Sequence, residues 1–369
     1  MAENRRGSIG AAGSVLLAGL LLASPMVMPS ASGGAKKPGT SGLKAGAISI
    51  TAQAIRSFSK VNPLRRRFGR LIFLGGLTLS SPIKQFGGWS DIAIDADGRH
   101  MLAISDNGAW LSAALQYDGS ALSGLTSAHI GPLHALSGRL LRNKRERDAE
   151  GLVLLDGTTS NGNLLISFER IHRIGRFTSS KAGINGPSGY LKLPAKAKKL
   201  RQNKGLEAVA MFRGGPMKGA VVTFAERPRK GRGDRPGWVF DKGRRFAIKL
   251  KDIGDFDVTS AAGLPDGSLL VLERRFRLKE WFQGIRIRLR RIKAGQFRPG
   301  AVVDGEILLQ ANSSHEVDNM EGLAVHTDAT GRSIITMISD DNFNKYLQRT
   351  ILLQFSLASK DLVKAGVSD

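Results

Sequence analysis

No cysteine occurs among the 369 residues, which excludes disulfides, thiolate chemistry and cysteine-based zinc fingers. Aromatic residues are few, at 6%, and prolines number 13, whereas glycines number 45. That balance favours many short turns. No Gly-x-Ser-x-Gly elbow is present, so a serine-hydrolase mechanism has no anchor. Arg213-Gly214-Gly215-Pro216 reads as a turn and lacks the Lys-Ser/Thr ending of a phosphate loop. Acidic residues are outnumbered 31 to 55 by basic ones, for a net charge of +24. Such an excess suits an anionic partner or a solvated basic exterior. No recognition-helix or RNA-binding fingerprint accompanies it, so no specific nucleic-acid partner is expected. What is present is apolar residue in quantity, 41%, enough for a packed core.

The N-terminus has its own pattern. Arg5 and Arg6 precede an apolar run over about residues 11–22, and small residues follow at Ser30, Ala31, Ser32, Gly33 and Gly34. This is the order of a bacterial signal peptide. The run is short for a membrane span, and no later run is longer. The expected organisation is a signal peptide over 1–32, a linker over 33–45 and one domain over 46–369, with a periplasmic or secreted location and no stable span after cleavage. Ser8 stands where a twin-arginine signal usually has Phe, which leaves the export route open between the general and twin-arginine pathways.

Internal similarity dominates the rest. Five segments share one pattern: Trp89 to Ile94, Ala149 to Leu154, Leu206 to Met211, Val258 to Gly263 and Met320 to Val325. They recur at intervals of roughly 50–60 residues. Each leads through a short turn, such as Asp156-Gly157 or Pro265-Asp266-Gly267, into a second apolar strand. Strand, Asp-Gly turn and strand make a hairpin. A hairpin at this period fits a propeller blade, whose faces only its neighbours can cover. With residues 45–86 and 350–357 left over, the expectation is an all-β, six-bladed β-propeller with ring closure by the C-terminal strand. A β-sandwich is the alternative, and the period argues against it. The basic stretches, among them 139–147, 196–204 and 274–293, are expected in loops and on outer-strand faces.

Acids sit at matching places. One set opens the first strand of each hairpin: Asp91, Glu150, Glu207 and Glu321, with Thr259 in the fourth repeat. A second set ends the next strand: Asp106, Glu169, Glu226, Glu273 and Asp340 with Asp341. An antiparallel hairpin brings these two ends together, so both sets gather at one mouth. Crowded carboxylates raise one another's pKa unless a cation intervenes. Three readings stay open: a hard-metal site, which Asn107, Asn319 and Asn342 would complete with oxygen ligands; a metal-free acid–base pair; and blade-to-blade ion pairs with Arg170, Arg227 and Arg274. Arg173, Arg275 and Lys345 are further cations for phosphate, and His172, His315 and His326 are possible proton carriers.

The segments Asp148-Ala149-Glu150-Gly151-Leu152, Ser167-Phe168-Glu169-Arg170, Gly205-Leu206-Glu207-Ala208, Leu272-Glu273-Arg274-Arg275, Asn319-Met320-Glu321-Gly322-Leu323 and Ser339-Asp340-Asp341-Asn342-Phe343 resemble the phytase-like family, also described as having the esterase-like activity of phytase. The resemblance implies a β-propeller and a secreted or periplasmic hydrolase. Similar propeller phytases hold calcium on acids and cleave phosphomonoesters, which points to Glu150, Glu169, Glu207, Glu226, Glu321 and Asp340. The expected function is a metal-assisted ester hydrolase acting on a small anionic ester. Glu207, Glu150 and Glu321 are the expected catalytic carboxylates, and Arg170, Arg227 and Arg274 the anion binders. Asp91, Asp106, Glu150, Glu169, Glu207, Glu226, Glu321 and Asp340 are the expected ligands of Ca2+, or alternatively Mg2+. A propeller lactonase or carboxylesterase and a non-catalytic envelope-binding module are the rivals.

Overall fold

The computed structural model describes residues 37–229, 231–277 and 284–358. The signal peptide expected over 1–32 lies outside them. In chain order the strands are β1 (Gly46–Ala47), β2 (Thr51–Ile55), β3 (Arg67–Phe68), β4 (Leu71–Ser80), β5 (Trp89–Ile94), β6 (His100–Ser105), β7 (Ala109–Asp118) and β8 (Ala121–Pro132). After a helical turn α1 (Lys144–Arg147) come β9 (Ala149–Thr158), β10 (Asn161–Phe168), β11 (Arg173–Ser180) and β12 (Gly183–Tyr190). A second turn α2 (Ala195–Lys198) leads to β13 (Leu206–Met211), β14 (Val221–Ala225), β15 (Arg235–Asp241) and β16 (Arg244–Leu250). The chain then runs through β17 (Asp257–Gly263), β18 (Leu269–Arg275), β19 (Arg286–Ile292), β20 (Val302–Val303) and β21 (Glu306–Ala311), and ends with β22 (Met320–Thr327), β23 (Ser333–Ser339) and β24 (Thr350–Leu357).

These strands form five sheets, so the propeller has five blades and not the six expected. The residues reserved for a sixth blade are used elsewhere. The chain before Trp89 contributes β2 and β4 to the fifth sheet, in the order β2-β4-β24-β23-β22, while β1 extends the first sheet beside β8. Strand β24 lies antiparallel to both β23 and β4, with Leu352 opposite Ile338 on one side and Leu77 on the other. One sheet therefore draws on both ends of the described chain, and a count of repeats by sequence reads it as two blades.

Over their first six residues the inner strands β5, β9, β13, β17 and β22 are mostly buried. Buried on both faces, they read as apolar runs and lack strict alternation. Small residues let them converge. A Cβ on Gly151 would meet the Glu207 carbonyl of the next blade at 2.4 Å, and one on Gly322 would meet the Asp91 backbone at 2.8 Å. The five core clusters each span two neighbouring blades. Trp89, fully buried, packs edge-on against Phe86 and in the same cluster as Leu77, Ile338 and Leu352 of the fifth blade. Burial on this scale is the main favourable term, at about 2–3 kcal/mol for each large apolar side chain.

Two arginines expected on an outer face are buried instead. Arg288 and Arg290 are 2% and 0% exposed, and both bond the Glu273 carboxylate, at 2.8 Å and 2.7 Å. Alternation explains this: in β18 the side chain of Glu273 takes the face opposite to that of Arg274.

Candidate functional site

All five inner strands skip one residue in their ladder near the start. Pairing passes from Trp89 to Asp91, from Ala149 to Gly151, from Leu206 to Ala208, from Val258 to Ser260 and from Met320 to Gly322. A bulged residue leaves the ladder and its side chain is re-aimed. The five residues so released are Ser90, Glu150, Glu207, Thr259 and Glu321, and all five line one cavity of about 290 Å3.

The second set of acids arrives from the following strands. Asp106, Glu169, Glu226 and Asp340 each place a backbone N–H on the residue two before a bulge: Gly88, Asp148, Gly205 and Asn319. In the fourth blade the residue opposite Asp257 is Arg274. Arg274 thus stands where the other blades have an acid, and Thr259 stands where three of them have a glutamate.

Among the described residues eight carboxylates line the cavity: Asp106, Asp148, Glu150, Glu169, Glu207, Glu226, Glu321 and Asp340. Five cations of the described residues line it too: Lys37, Lys144, Arg170, Lys204 and Arg274. Lys37 Nζ lies 2.6 Å from Asp106 and 3.7 Å from Asp340, Lys144 Nζ is 2.8 Å from Asp106, and Lys204 Nζ is 2.5 Å from Glu226. Arg170 Nε donates to Asp148, and Arg274 contacts Glu321 and Asn319. The turn α1 delivers Lys144, and the Asn143 side chain caps it by accepting the Glu146 N–H. Residues 37–45, expected as linker, include Lys37 in the cavity wall and Thr40 at 1% exposure. Arg170 and Asn342, both in the wall, have left-handed backbones, with φ of 46° and 50°, a conformation that costs energy outside glycine.

Glu150, Glu169 and Glu207 take part in none of the ion pairs among the described residues, although Glu169 Oε1 accepts the Gly205 N–H at 2.9 Å. Burial, then the charges of Asp148 and Glu169, holds the Glu150 carboxyl well above the usual range. Burial and the surrounding glutamates, Glu150 first, do the same to Glu207. Burial pushes Glu169 up to about 7 and Glu321 up to about 7, in the latter case against the pull of Arg274. Burial also lifts Asp340 to about 8, with Lys37 opposing. At Asp106 burial acts upward but Lys37 and Lys144 more than offset it, and the carboxyl is lowered.

The donor set suits a hard divalent cation. Asp148, Glu150 and Glu169 each present an oxygen within 4.8 Å of the others, and so do Glu169, Glu207 and Glu226. Two oxygens on one calcium ion lie at most about 5 Å apart, twice the bond length. The ligands are carboxylates throughout, the class that Ca2+ and Mg2+ prefer.

Not every expected residue is in this wall. Asp91 lies one position past the bulge and is fully buried. Its carboxylate accepts the N–H groups of Leu152 at 2.7 Å, Leu323 at 3.1 Å and Ile92 at 2.9 Å, and the Ser260 hydroxyl at 2.9 Å. It ties four inner strands together where the other blades have Gly151, Ala208, Ser260 and Gly322. Arg227 is also absent from the wall; it bonds Asp255, the Gly231 carbonyl and Asp257. His172, His315 and His326 line no part of the cavity; His315 stacks near Phe58 at 5.0 Å. Asn107 is a turn residue whose side chain accepts the Ala109 N–H. Two alignments compete at Ser90: matching Ile92-Ala93-Ile94 to Leu152-Val153-Leu154 sets Ser90 against Glu150, whereas matching acid to acid sets Asp91 there, and the sequence alone does not choose between them. Lys37, Lys144 and Lys204 come from segments outside the repeat and had no such signal.

Fold and site together define a β-propeller with a carboxylate-lined cavity at the start of its inner strands. The chain belongs to the phytase-like family, described as esterase-like activity of phytase, whose model matches residues 84–343. A solved structure, the Dos1 propeller, is similar over 83% of each chain at 9% identity, with a TM-score of 0.32. No curated protein matches the chain. Among the described residues no helix is long and apolar enough to cross a membrane.

Proposed function

We propose that this protein is an exported ester hydrolase that acts on small phosphoesters with the help of a divalent cation. The observation that carries the reading is the trio Glu150, Glu169 and Glu207, which have no ion-pair partner among the described residues and belong to two oxygen clusters that meet at Glu169, in a cavity that also presents Arg170 and Arg274. Under this reading the trio, with Asp148 and Glu226 beside it, holds Ca2+ or else Mg2+, and Asp106, Glu321 and Asp340 complete the negative wall. The cation, when bound, supplies neutralisation and polarises a phosphoryl oxygen. The chain's own groups do the rest. Arg170 and Arg274 offer guanidinium N–H donors to phosphate oxygens. Glu150 and Glu207 serve as cation ligands in their ionised form, and Glu321, outside that set and near 7, is poised to accept a proton from water. The reading includes a signal over 1–32, a propeller domain over 46–369, and ring closure through the pairing of β24 with β4.

One observation favours a second reading. Each cation in the wall is already held by a carboxylate, an arrangement better suited to a neutral ester than to a phosphate. A lactonase or carboxylesterase follows from that. The test is nitrophenol release from nitrophenyl phosphate and from nitrophenyl acetate, with Ca2+ and with a chelator. Calcium-dependent turnover of the phosphate, lost in Glu207→Gln, supports the phosphoesterase. Turnover of the acetate alone moves the assignment to the second reading. No turnover of either ester leaves a binding module and sinks the hydrolase.

A further inference from the structure

The third blade carries a separate cavity of about 360 Å3 on its outer strands β15 and β16, beneath the segment that contains α2. Its floor is apolar: Trp238 and Ile248, 4% and 2% exposed, with Pro236, Ala247 and Leu200. Among the described residues no aspartate or glutamate lines it. Its rim carries Lys196, Lys199, Arg229 and Lys249, and among the described residues none of these four side chains makes an ion pair or hydrogen bond. The contrast with the acid cavity is direct, since every cation there is matched by a carboxylate.

An apolar floor alone would suit any small hydrophobe. A rim of four uncompensated cations adds a requirement for negative charge, because an anionic head placed there gains attraction without displacing an existing pair. The lysine stems extend the apolar wall while their ammonium groups stay at the water boundary. The volume lies in the range of small-molecule pockets, about 300–1,000 Å3. We propose that this cavity binds a small anionic amphiphile: an apolar chain or ring seated on Trp238 and Ile248, with one carboxylate or phosphate head among Lys196, Lys199, Arg229 and Lys249.

Titration calorimetry on the purified protein with decanoate, decyl phosphate, decanol and decylammonium, all below their micelle concentrations, tests this. One saturable site is expected for decanoate or decyl phosphate, and the tighter of the two identifies the head group. Decanol should bind at least tenfold more weakly and decylammonium not measurably. Ala247→Glu, at an exposed position, should abolish anion binding, and the pair Lys199→Ala/Lys249→Ala should weaken it about tenfold while leaving decanol unchanged. No saturable binding of either anion would overturn the proposal. So would equal binding of decylammonium, or binding that neither variant alters in a protein of unchanged melting temperature.

Discussion

The Arg274 guanidinium of the fourth blade contacts the Glu321 carboxylate of the fifth, in the one blade where a cation replaces the acid of the second set. It restrains a buried carboxyl that burial drives upward. Arg274→Gln should therefore raise the Glu321 pKa above about 7 and move the acidic limb of the pH–rate profile upward. Turnover at neutral pH should fall about 10²-fold, the usual cost of losing one preorganised donor. A profile that keeps its acidic limb would remove Arg274 from the chemistry.

The cation-free protein should lose stability as pH rises. Glu169 and Glu321 titrate near 7 and Asp340 near 8 when folded, against 4.5 and 3.8 as ordinary values. The folded state thus binds protons that the unfolded state has already released. Their contribution is complete below about pH 4 and lost as pH passes through about 7–8. The melting temperature, measured in chelator, should fall between pH 5 and pH 8.5. Added Ca2+ should restore more at pH 8.5 than at pH 5, because binding requires ionised ligands.

Asp91 is expected to matter for stability and not for cation binding. Asp91→Asn sets an amide N–H against the Leu152 N–H or the other three donors, which should cost about 2 kcal/mol. Urea unfolding measures that loss. Calorimetry should find the Ca2+ affinity of the folded variant unchanged; a tenfold loss would place Asp91 among the ligands.

Lys37 bridges Asp106 and Asp340 as a tethered positive charge. Lys37→Ala should leave the wall more negative and tighten Ca2+ binding, by about tenfold at low ionic strength and less in high salt. Weaker binding would mean that Lys37 supports the site by position and not by charge.

The sequence by itself determined the hairpins, their turns, the family and seven members of the two sets of acids, because these depend on local alternation and on a repeat that survives without coordinates. Glu150, Glu207 and Glu321, with Asp106, Glu169, Glu226 and Asp340, meet in one wall as that repeat implies. Tertiary structure alone decided three things. It set the blade number, since β4 and β24 pair across nearly the whole chain and no local period reports such a pairing. It decided that Ser90 and not Asp91 enters the cavity, because a one-residue bulge exchanges the faces of a strand. It also decided how the acids are neutralised: Lys37, Lys144 and Lys204 come from separate loops, and only the converging inner strands bring their charges within reach of the same carboxylates.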